Sequence, residues 1–247
     1  MSERPVAVVT GASTGIGEAS ARRSASDGFR VVCAARRVRR VAQLAAEIDG
    51  IGVGCDVTSA ADVSELAEAA GSSVALLVNN AGGALGLDRL EVAPLELWRQ
   101  MYETNALGMV AVTQALLPAL RAAHGTIITI TSIAADQTYE GGGGYCAAKA
   151  AERVLSDALR LELNGEPIRI CDIAPGLTKT EEFALTRFGG DRDRADAVYA
   201  GVPEPLTAED LAECVSWVAG LPHHVNVDRL LVRPLAQATT FKVNRQA

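Results

Sequence analysis

The chain has 247 residues, of which 49% are hydrophobic and 21% are charged, and its formal net charge is -7. A chain of this length and apolar content can bury a large core, and α/β chains of this size are often one domain, so we predict a single domain over residues 1–247. The acidic balance argues against a nucleic-acid partner, for which a basic surface is expected, and favours a small-molecule substrate.

Cysteine and histidine usage limits the chemistry further. The five cysteines are scattered, odd in number and never form a C-x-x-C pair, which predicts neither a disulfide framework nor a zinc site and favours a reducing cytoplasm. The three histidines make no convincing metal cluster with them, so we expect no metal. The N-terminal apolar run is short and no later segment reaches eighteen apolar residues, which predicts no membrane partner.

A glycine-rich turn opens the chain. Pro5 to Thr10 is typical of a buried strand, and a helix is predicted from about Glu18 to Asp27. Glycines let a backbone approach a pyrophosphate, and the first helical amides point at the anion. A lone glycine turn can simply be a tight turn, but the flanking strand and helix favour a dinucleotide. The candidate residues are Gly11, Ser13, Thr14, Gly15, Ile16 and Gly17.

The second strand, Arg30 to Ala35, ends in two arginines. Many NAD-binding units place an acidic residue there for the ribose 2′-hydroxyl, whereas this chain has Arg36 and Arg37. Arginine suits a 2′-phosphate, so the pair favours NADP over NAD. The alternative is a solvated helix start, but cations are unfavourable near a helix N-terminus.

Two further strand ends carry candidate cofactor residues. Asp56 and Val57 follow a strand at Ile51 to Cys55 and can contact an adenine, although Asp56 can equally be a turn residue. After a strand at Val74 to Val78, the small residues Asn80, Ala81 and Gly82 permit close approach of a cofactor or merely make a tight turn.

Asn105 lies in the middle of a helical pattern that runs from Leu95 to about Ala122. Asparagine is a poor helix former, so its position needs a reason. One interpretation is a satisfied buried amide, and the other is a water-binding or helix-bending role.

The segment 131–149 carries the strongest catalytic pattern. Tyr145 and Lys149 are four residues apart in a predicted helix and therefore share one face. A nearby ammonium lowers the pKa of a phenol, which otherwise titrates near pH ~10. Ser132 ends an apolar strand, where its hydroxyl can bind a substrate oxygen. The three groups can together act as a general acid and base, although such a Tyr/Lys pair alone is often mere surface spacing.

Strands and helices alternate along the whole chain. This alternation predicts a Rossmann-type, doubly wound parallel sheet of about seven strands, with ligands at the carboxyl ends of the strands. Residues 177–206, rich in charge and glycine, lack a core pattern and are predicted to form a mobile lid over the site. A helix capped by Thr207 and a last strand at Arg229 to Val232 follow.

Several motifs, taken in order, resemble those of the NADP-preferring short-chain dehydrogenase/reductase family over essentially the whole chain. The motifs are Thr10-Gly-x-x-x-Gly15-x-Gly17, Asn79-Asn-Ala-Gly82, Asn105, Ser132, Tyr145-x-x-x-Lys149 and Pro175-Gly176. The resemblance implies that Tyr145 is the general acid/base, that Ser132 polarises the substrate oxygen, and that Lys149 binds the nicotinamide ribose. It further implies a relay water at Asn105 and places Asn80 to Gly82 and Pro175-Gly176 around the inner half of the cofactor.

More narrowly, several segments are similar to the NADP-dependent serine/3-hydroxy acid dehydrogenase branch, which is usually tetrameric. They are Pro175-Gly176-Leu177, Thr180-Glu181-Glu182-Phe183, Arg187-Phe188-x-Gly190-Asp191 and the end from Leu221 to Arg245. A small acid needs a cation, and among Lys179, Arg187, Arg192 and Arg194 we expect Arg187 to bind the carboxylate. Thr178-Lys179 and the four-glycine loop depart from the branch.

Two other functions stay open at this point. The same chemistry can act on a bulkier ketone, a sugar or an acyl thioester. A dinucleotide-sensing protein without turnover is the alternative from another class, but it would be expected to lack Tyr145, Lys149 or Ser132, and all three are present.

Overall fold

A computed structural model describes residues 4–180 and 182–246. Within them, seven strands form one sheet in the order β3-β2-β1-β4-β5-β6-β7, and every neighbouring pair is parallel. This confirms the predicted Rossmann-type sheet. The strands are β1 Val6–Thr10, β2 Arg30–Ala35, β3 Ile51–Gly54, β4 Leu76–Asn79, β5 Thr126–Ile130, β6 Arg169–Pro175 and β7 Arg229–Val232.

The helices lie between the strands, as the alternation predicted. They are α1 Gly15–Ser26, α2 Val38–Glu47, α3 Ala60–Ala70, α4 Leu95–Tyr102, α5 Gly108–Ala123, α6 Gly143–Glu162, α7 Phe183–Arg187, α8 Arg192–Ala197 and α9 Ala208–Ala219. The prediction for the first helix began too late, at Glu18, because the glycine turn itself supplies the first turn of α1.

Both faces of the sheet are covered, because side chains of a strand alternate between its two sides. In β1, Ala7 and Val9 join one core cluster with α1 and α9, whereas Val8 joins the other with α3 and α5. All three residues are 0% exposed. Burying one such valine contributes about 1.5–3 kcal/mol, and the many buried valines and isoleucines of the central strands therefore hold the sheet in place.

The topology reverses beside β1. The chain runs outward through β2 and β3 and then crosses back to β4 on the other side of β1. Doubly wound sheets bind ligands in the crevice outside the carboxyl ends of strands at such a point. The segments that follow β1, β4, β5 and β6 all reach this edge and carry Gly11, Asn80, Ser132 and Gly176.

The predicted helix around Asn105 is observed and contains a distortion. Between α4 and α5 the residues Glu103–Leu107 form a π-helical turn, with Asn105 at its centre. An 18-residue window within Leu95–Ala123 is long and apolar enough for a membrane span, with a mean hydropathy of 1.4. Its side chains Val112 and Leu116 are buried in the core, and this packing accounts for the composition.

The lid, residues 177–206, contains α7 and α8 and little buried surface. Ala184, Ala195 and Val202 are its buried apolar side chains among the described residues. Glu181, part of one predicted family motif, lies outside the described residues. The predicted cap at Thr207 is confirmed, since its hydroxyl accepts a hydrogen bond from the amide of Asp210 in a capping box.

Candidate active site

A cavity of about 920 Å³ opens at the carboxyl edge of the sheet. It is lined by Ser132, Arg187 and every predicted cofactor residue except Gly17. Those cofactor residues are Gly11, Ser13, Thr14, Gly15, Ile16, Arg36, Arg37, Asp56, Val57, Asn80, Ala81, Gly82, Tyr145, Lys149, Pro175 and Gly176. Gly17 and Asn105 are outside this lining but contact residues that belong to it.

The glycine turn is shaped by close packing. Gly11 has a φ of +65°, and a Cβ there would lie 2.7 Å from the side-chain nitrogen of Asn80. A Cβ on Gly17 would overlap the same amide and the carbonyl of Gly11. Thr14 precedes α1 and makes no side-chain capping bond, so the first amides of the helix are left for another acceptor. The turn therefore presents backbone donors to an anion.

Thr10 fixes the adjacent wall by joining the ends of β1 and β4. Its hydroxyl accepts hydrogen bonds from the amides of Asn80 and Ala81, each at 3.0 Å, and donates to the carbonyl of Val78. The Asn80 side chain donates back to the carbonyl of Thr10 at 2.9 Å. Asn80 thus both lines the cavity and stabilises the glycine turn through its hydrogen bond to Thr10.

The two arginines after β2 behave differently. Arg36 is exposed at the cavity rim, whereas the guanidinium of Arg37 donates two hydrogen bonds to the hydroxyl of Ser13, at 3.0 and 2.9 Å. Arg37 also pairs with Glu182 of the lid, which in turn pairs with Arg40 at 2.8 Å. Glu182 belongs to one of the family-like segments, but we did not predict its contact with Arg37, because that contact joins segments far apart in the chain.

Asp56 has the turn role that one of our two interpretations described, and its contact with an adenine stays a prediction. Asp56 lines the cavity, and its carboxylate accepts hydrogen bonds from the amide and the hydroxyl of Thr58, at 3.0 and 2.7 Å. These bonds shape the turn that leads into α3.

Helix α6 brings the predicted catalytic pair to the cavity floor. It begins at Gly143, and its Tyr145 and Lys149 are both buried. The Lys149 ammonium donates to the carbonyl of Ile130 at 3.0 Å and pairs with the buried carboxylate of Glu152 at 2.7 Å. We did not predict Glu152, although its position three residues after Lys149 places it on the same helical face.

Ser132 lies at the end of β5, opposite this helix. Its hydroxyl accepts a hydrogen bond from the amide of Ala134 at 3.1 Å and donates one to the carbonyl of Pro175 at 3.5 Å. Next to it, the buried Asp172 accepts from the hydroxyl of Thr131 and pairs with Arg229 at 3.0 Å. These contacts hold the end of β5 at a fixed position beside the phenol.

The pKa of Tyr145 is raised in this structure, mainly because the side chain is buried. The nearby Ser132 hydroxyl and the charge of Arg187 lower this pKa, whereas the charge of Glu152 raises it. The predicted lowering by Lys149 is therefore not observed as the net effect. Burial is the largest cause, and Lys149, which pairs with Glu152, is not among the main groups that shift this pKa. Burial also raises the pKa of Glu152, to about 7, against the opposing charge of Lys149.

Asn105 is a fully buried amide with every polar atom engaged. Its oxygen accepts from the amide of Gly83 at 3.1 Å, and its nitrogen donates to the carbonyls of Gly83 and Met101, at 3.1 and 2.6 Å. A Cβ on Gly82 would overlap the same side chain. Asn105 is therefore the satisfied buried amide of our first interpretation, and it fixes the loop after β4. The π turn around it is the helix distortion that the second interpretation included.

The lid covers the phenol. The rings of Phe183 and Tyr145 lie 5.8 Å apart between centroids, in an edge-to-face arrangement. The Arg187 guanidinium carbon lies 5.8 Å from the Tyr145 ring centroid and 5.3 Å from that of Tyr139. Of the four lid cations considered above, Arg187 alone lines the cavity. Tyr139, which our sequence analysis missed, shares this position.

Arg187 holds an unused donor. Its Nε donates to the carbonyl of Gly86 at 3.2 Å, while its Nη2 is buried and has no hydrogen-bond partner in the structure. In the part of the chain that the structure describes, no three His, Cys, Asp or Glu side chains group as a metal site. The arrangement thus offers a proton-transfer group and a cation beside a cradle of backbone donors.

Comparison with known proteins identifies the family to which this site belongs. The family model described as short chain dehydrogenase matches residues 5–187. The chain belongs to this family. This confirms the predicted resemblance and the enzyme class: the short-chain dehydrogenase described here is an oxidoreductase.

Individual relatives refine the likeness of this short-chain dehydrogenase. An uncharacterized oxidoreductase of Mycobacterium tuberculosis is 53% identical, covering 96% of this chain and 94% of the relative. The NADP-dependent 3-hydroxy acid dehydrogenase of Escherichia coli K12 is 39% identical, covering 98% and 100%. A closed form of serine dehydrogenase complexed with NADP+ superposes with a TM-score of 0.91 at 38% identity, covering 98% and 100%.

Proposed function

We propose that this enzyme transfers a hydride between NADP(H) and the secondary alcohol or ketone of a small 3-hydroxy acid, such as serine or allo-threonine. Its similarity to a 3-hydroxy acid dehydrogenase and to a serine dehydrogenase supports this choice. The observation that carries it is the buried, unpaired Nη2 of Arg187 beside Tyr145. A cation next to the proton-transfer group suits a substrate whose carboxylate lies close to its hydroxyl.

The residues present fit NADP. The turn from Gly11 to Gly17 leaves space that a Cβ would fill, and its helix start offers free amides for a pyrophosphate. Arg36 and Arg37 stand where the 2′-position of the adenosine ribose is recognised in such folds, and guanidinium forks match phosphate. Bound NADP supplies or accepts the hydride.

The proton is handled by groups of this chain. In the oxidation direction, the Tyr145 oxygen takes the proton of the substrate hydroxyl, while the Ser132 hydroxyl hydrogen-bonds the same substrate oxygen and holds it in place. In the reduction direction Tyr145 returns a proton to that oxygen. Lys149 is held between Ile130 and Glu152, and its ammonium lies 6.0 Å from the centre of the Tyr145 ring, where it would bind the ribose of the nicotinamide half.

Water is kept from this reaction by the lid. Phe183 and Arg187 lie against Tyr145, which is only 8% exposed. In this account Asn105 keeps the loop after β4 in position, and a relay water beside it is the role that the family resemblance implies.

The test is reduction of NADP+ and NAD+ by the purified protein with serine, allo-threonine and 3-hydroxypropionate, and with neutral secondary alcohols as controls. We expect turnover with the hydroxy acids and NADP+. Turnover of the neutral alcohols alone would overturn the Arg187 assignment. No turnover with any of them moves the search to bulkier ketones, sugars and acyl thioesters.

We also propose a cytoplasmic homotetramer. All five cysteines are free, which suits a reducing compartment. Leu107, Val154 and Leu161 are at least half exposed on α6 and the π turn, and such apolar side chains suit contacts between copies of the chain. Light scattering after size exclusion should give four times the mass of 25.7 kDa; a monomer would contradict the proposal.

A further inference from the structure

One carboxylate of the lid, that of Glu182, lies against the arginines that follow β2. Glu182 immediately precedes α7, and its carboxylate contacts the guanidinium groups of both Arg37 and Arg40. The Glu182 side chain is 22% exposed, less than either arginine. Arg37 holds Ser13 of the glycine turn at the same time. The lid is therefore tied to the cofactor side of the cavity by an ionic contact.

The opposite end of α7 is tied to the other side of the cavity. Arg187 and Gly86 exchange two hydrogen bonds: the Gly86 amide donates to the Arg187 carbonyl at 3.0 Å, and the Arg187 Nε donates to the Gly86 carbonyl at 3.2 Å. Between these attachments, Phe183 packs on Tyr145. Helix α7 thus lies over the phenol, and both of its ends are held.

We propose that Glu182 occupies the 2′-phosphate site in the cofactor-free enzyme. A 2′-phosphate displaces Glu182 and so releases the N-terminal end of α7. The proposal rests on NADP being the cofactor of the proposed function. Carboxylate and phosphate are both bound by arginine forks, and two anions a few ångströms apart repel one another. A ligand with a free 2′-hydroxyl carries no charge at this position and cannot compete for the arginines.

The coupling acts in both directions, as linkage requires. Because phosphate binding must break the Glu182 contact, the closed lid weakens affinity for 2′-phosphorylated ligands only. Release of the α7 end in turn exposes the buried phenol, which removes the main cause of the raised pKa of Tyr145. The lid is then free to admit substrate after the cofactor.

The test uses fragments that carry no nicotinamide, so that it needs no turnover. Calorimetry measures binding of adenosine 2′,5′-bisphosphate and of ADP to the wild type, to Glu182→Gln and to a matched surface variant, Glu68→Gln, whose side chain is exposed on α3. We expect Glu182→Gln to bind the bisphosphate about five- to tenfold more tightly, the scale of losing its two partly exposed ion pairs, with ADP binding unchanged. Glu68→Gln should match the wild type with both ligands.

Hydrogen exchange of residues 183–188 gives a second readout. We expect faster exchange in ligand-free Glu182→Gln, and in the wild type when the bisphosphate but not ADP is added. Unchanged or weaker bisphosphate binding by Glu182→Gln overturns the competition, and weaker binding would mean that Glu182 helps to hold the ligand. Tighter binding without faster exchange overturns release of the lid.

These outcomes are separable from those of the proposed function. If the wild type binds the bisphosphate no better than ADP, the NADP assignment fails, and this proposal fails with it. If hydroxy acids are not turned over but the binding results are as expected, the substrate assignment alone is wrong.

Discussion

The two sides of the cavity are built by different forces. On the cofactor side, glycine packing, the hydrogen bonds of Thr10 and the buried amide of Asn105 fix the backbone at the ends of β1 and β4. On the lid side, α7 is a helix of five residues held by the Glu182 ion pairs and by two hydrogen bonds to Gly86. The first side is thus held by close packing and buried hydrogen bonds, and the second by partly exposed ion pairs and two hydrogen bonds.

This difference determines what a ligand can change. A backbone segment fixed by close packing cannot move without creating overlaps or voids, because protein interiors are packed as densely as organic crystals. Partly exposed ion pairs contribute about 0–1 kcal/mol and can be exchanged for a ligand's charge. We therefore expect the cofactor side to be pre-formed and the lid to respond to ligands, and four substitutions examine this division.

Tyr145→Phe should have the largest effect. It removes the proton-transfer group from the floor between the two sides while keeping the packing of the ring against Phe183. We expect kcat to fall about 10²–10⁴-fold, the usual contribution of general acid–base catalysis. Cofactor binding, measured by calorimetry, should be preserved. Tyr102→Phe, on an exposed side chain, is the control; full activity of the Tyr145 variant would refute the acid/base assignment.

Asn105→Ala tests the packed side. The substitution leaves the amide and carbonyl of Gly83 and the carbonyl of Met101 without their partner in a buried site. We expect the free energy of unfolding to fall by about 2–4 kcal/mol, together with weaker cofactor binding. Urea denaturation measures the first quantity. Asn164→Ala, at an exposed position after α6, should change little, and equal effects of the two variants would contradict the role of Asn105.

Arg187→Ala tests the lid side. It removes the unpaired donor beside Tyr145, so the KM for a hydroxy acid should rise about 10- to 100-fold, the range expected for a charge-assisted hydrogen bond. The KM for a neutral secondary alcohol should stay as it is in the wild type. Arg192→Ala supplies the control, because this lid arginine is exposed and outside the cavity lining. An unchanged hydroxy-acid KM would remove Arg187 from the substrate site.

Glu152→Gln should produce the smallest and most specific change. The charge of Glu152 raises the pKa of Tyr145, so its removal lowers that pKa. Oxidation of the alcohol needs the deprotonated phenol, and the rising limb of the pH–rate profile should therefore move to lower pH, by about one unit. Because the pKa of Glu152 is raised to about 7, the difference from wild type should be greatest above that pH.

The surroundings of Glu152 define the control for that experiment. Lys149 on its own helix and Asp172 on β6 are the charged groups that influence Glu152. Glu162→Gln, at the exposed end of α6, changes the same charge without a contact at the site. A limb that stays in place or moves to higher pH in Glu152→Gln would show that the carboxylate does not act on the phenol.

The sequence by itself determined the sheet, the glycine turn and the floor of the site. These features follow from local rules: a strand, a turn and a helix are read from periodicity and glycine, and Tyr145 and Lys149 share a face because they are four residues apart. In a parallel sheet the carboxyl ends of all strands lie at one edge, so the sequence alone predicted that the cofactor residues lie together there.

Only the tertiary structure decided how these groups are charged and covered. Glu182 contacts Arg37, which is 145 residues away in the chain, and Arg187 contacts Gly86, which is 101 residues away. Neither contact produces a periodic pattern from which it could be predicted. The pKa of Tyr145 is raised instead of lowered for the same reason. Burial depends on which distant segments pack over a side chain, whereas spacing along a helix determines only which residues are neighbours.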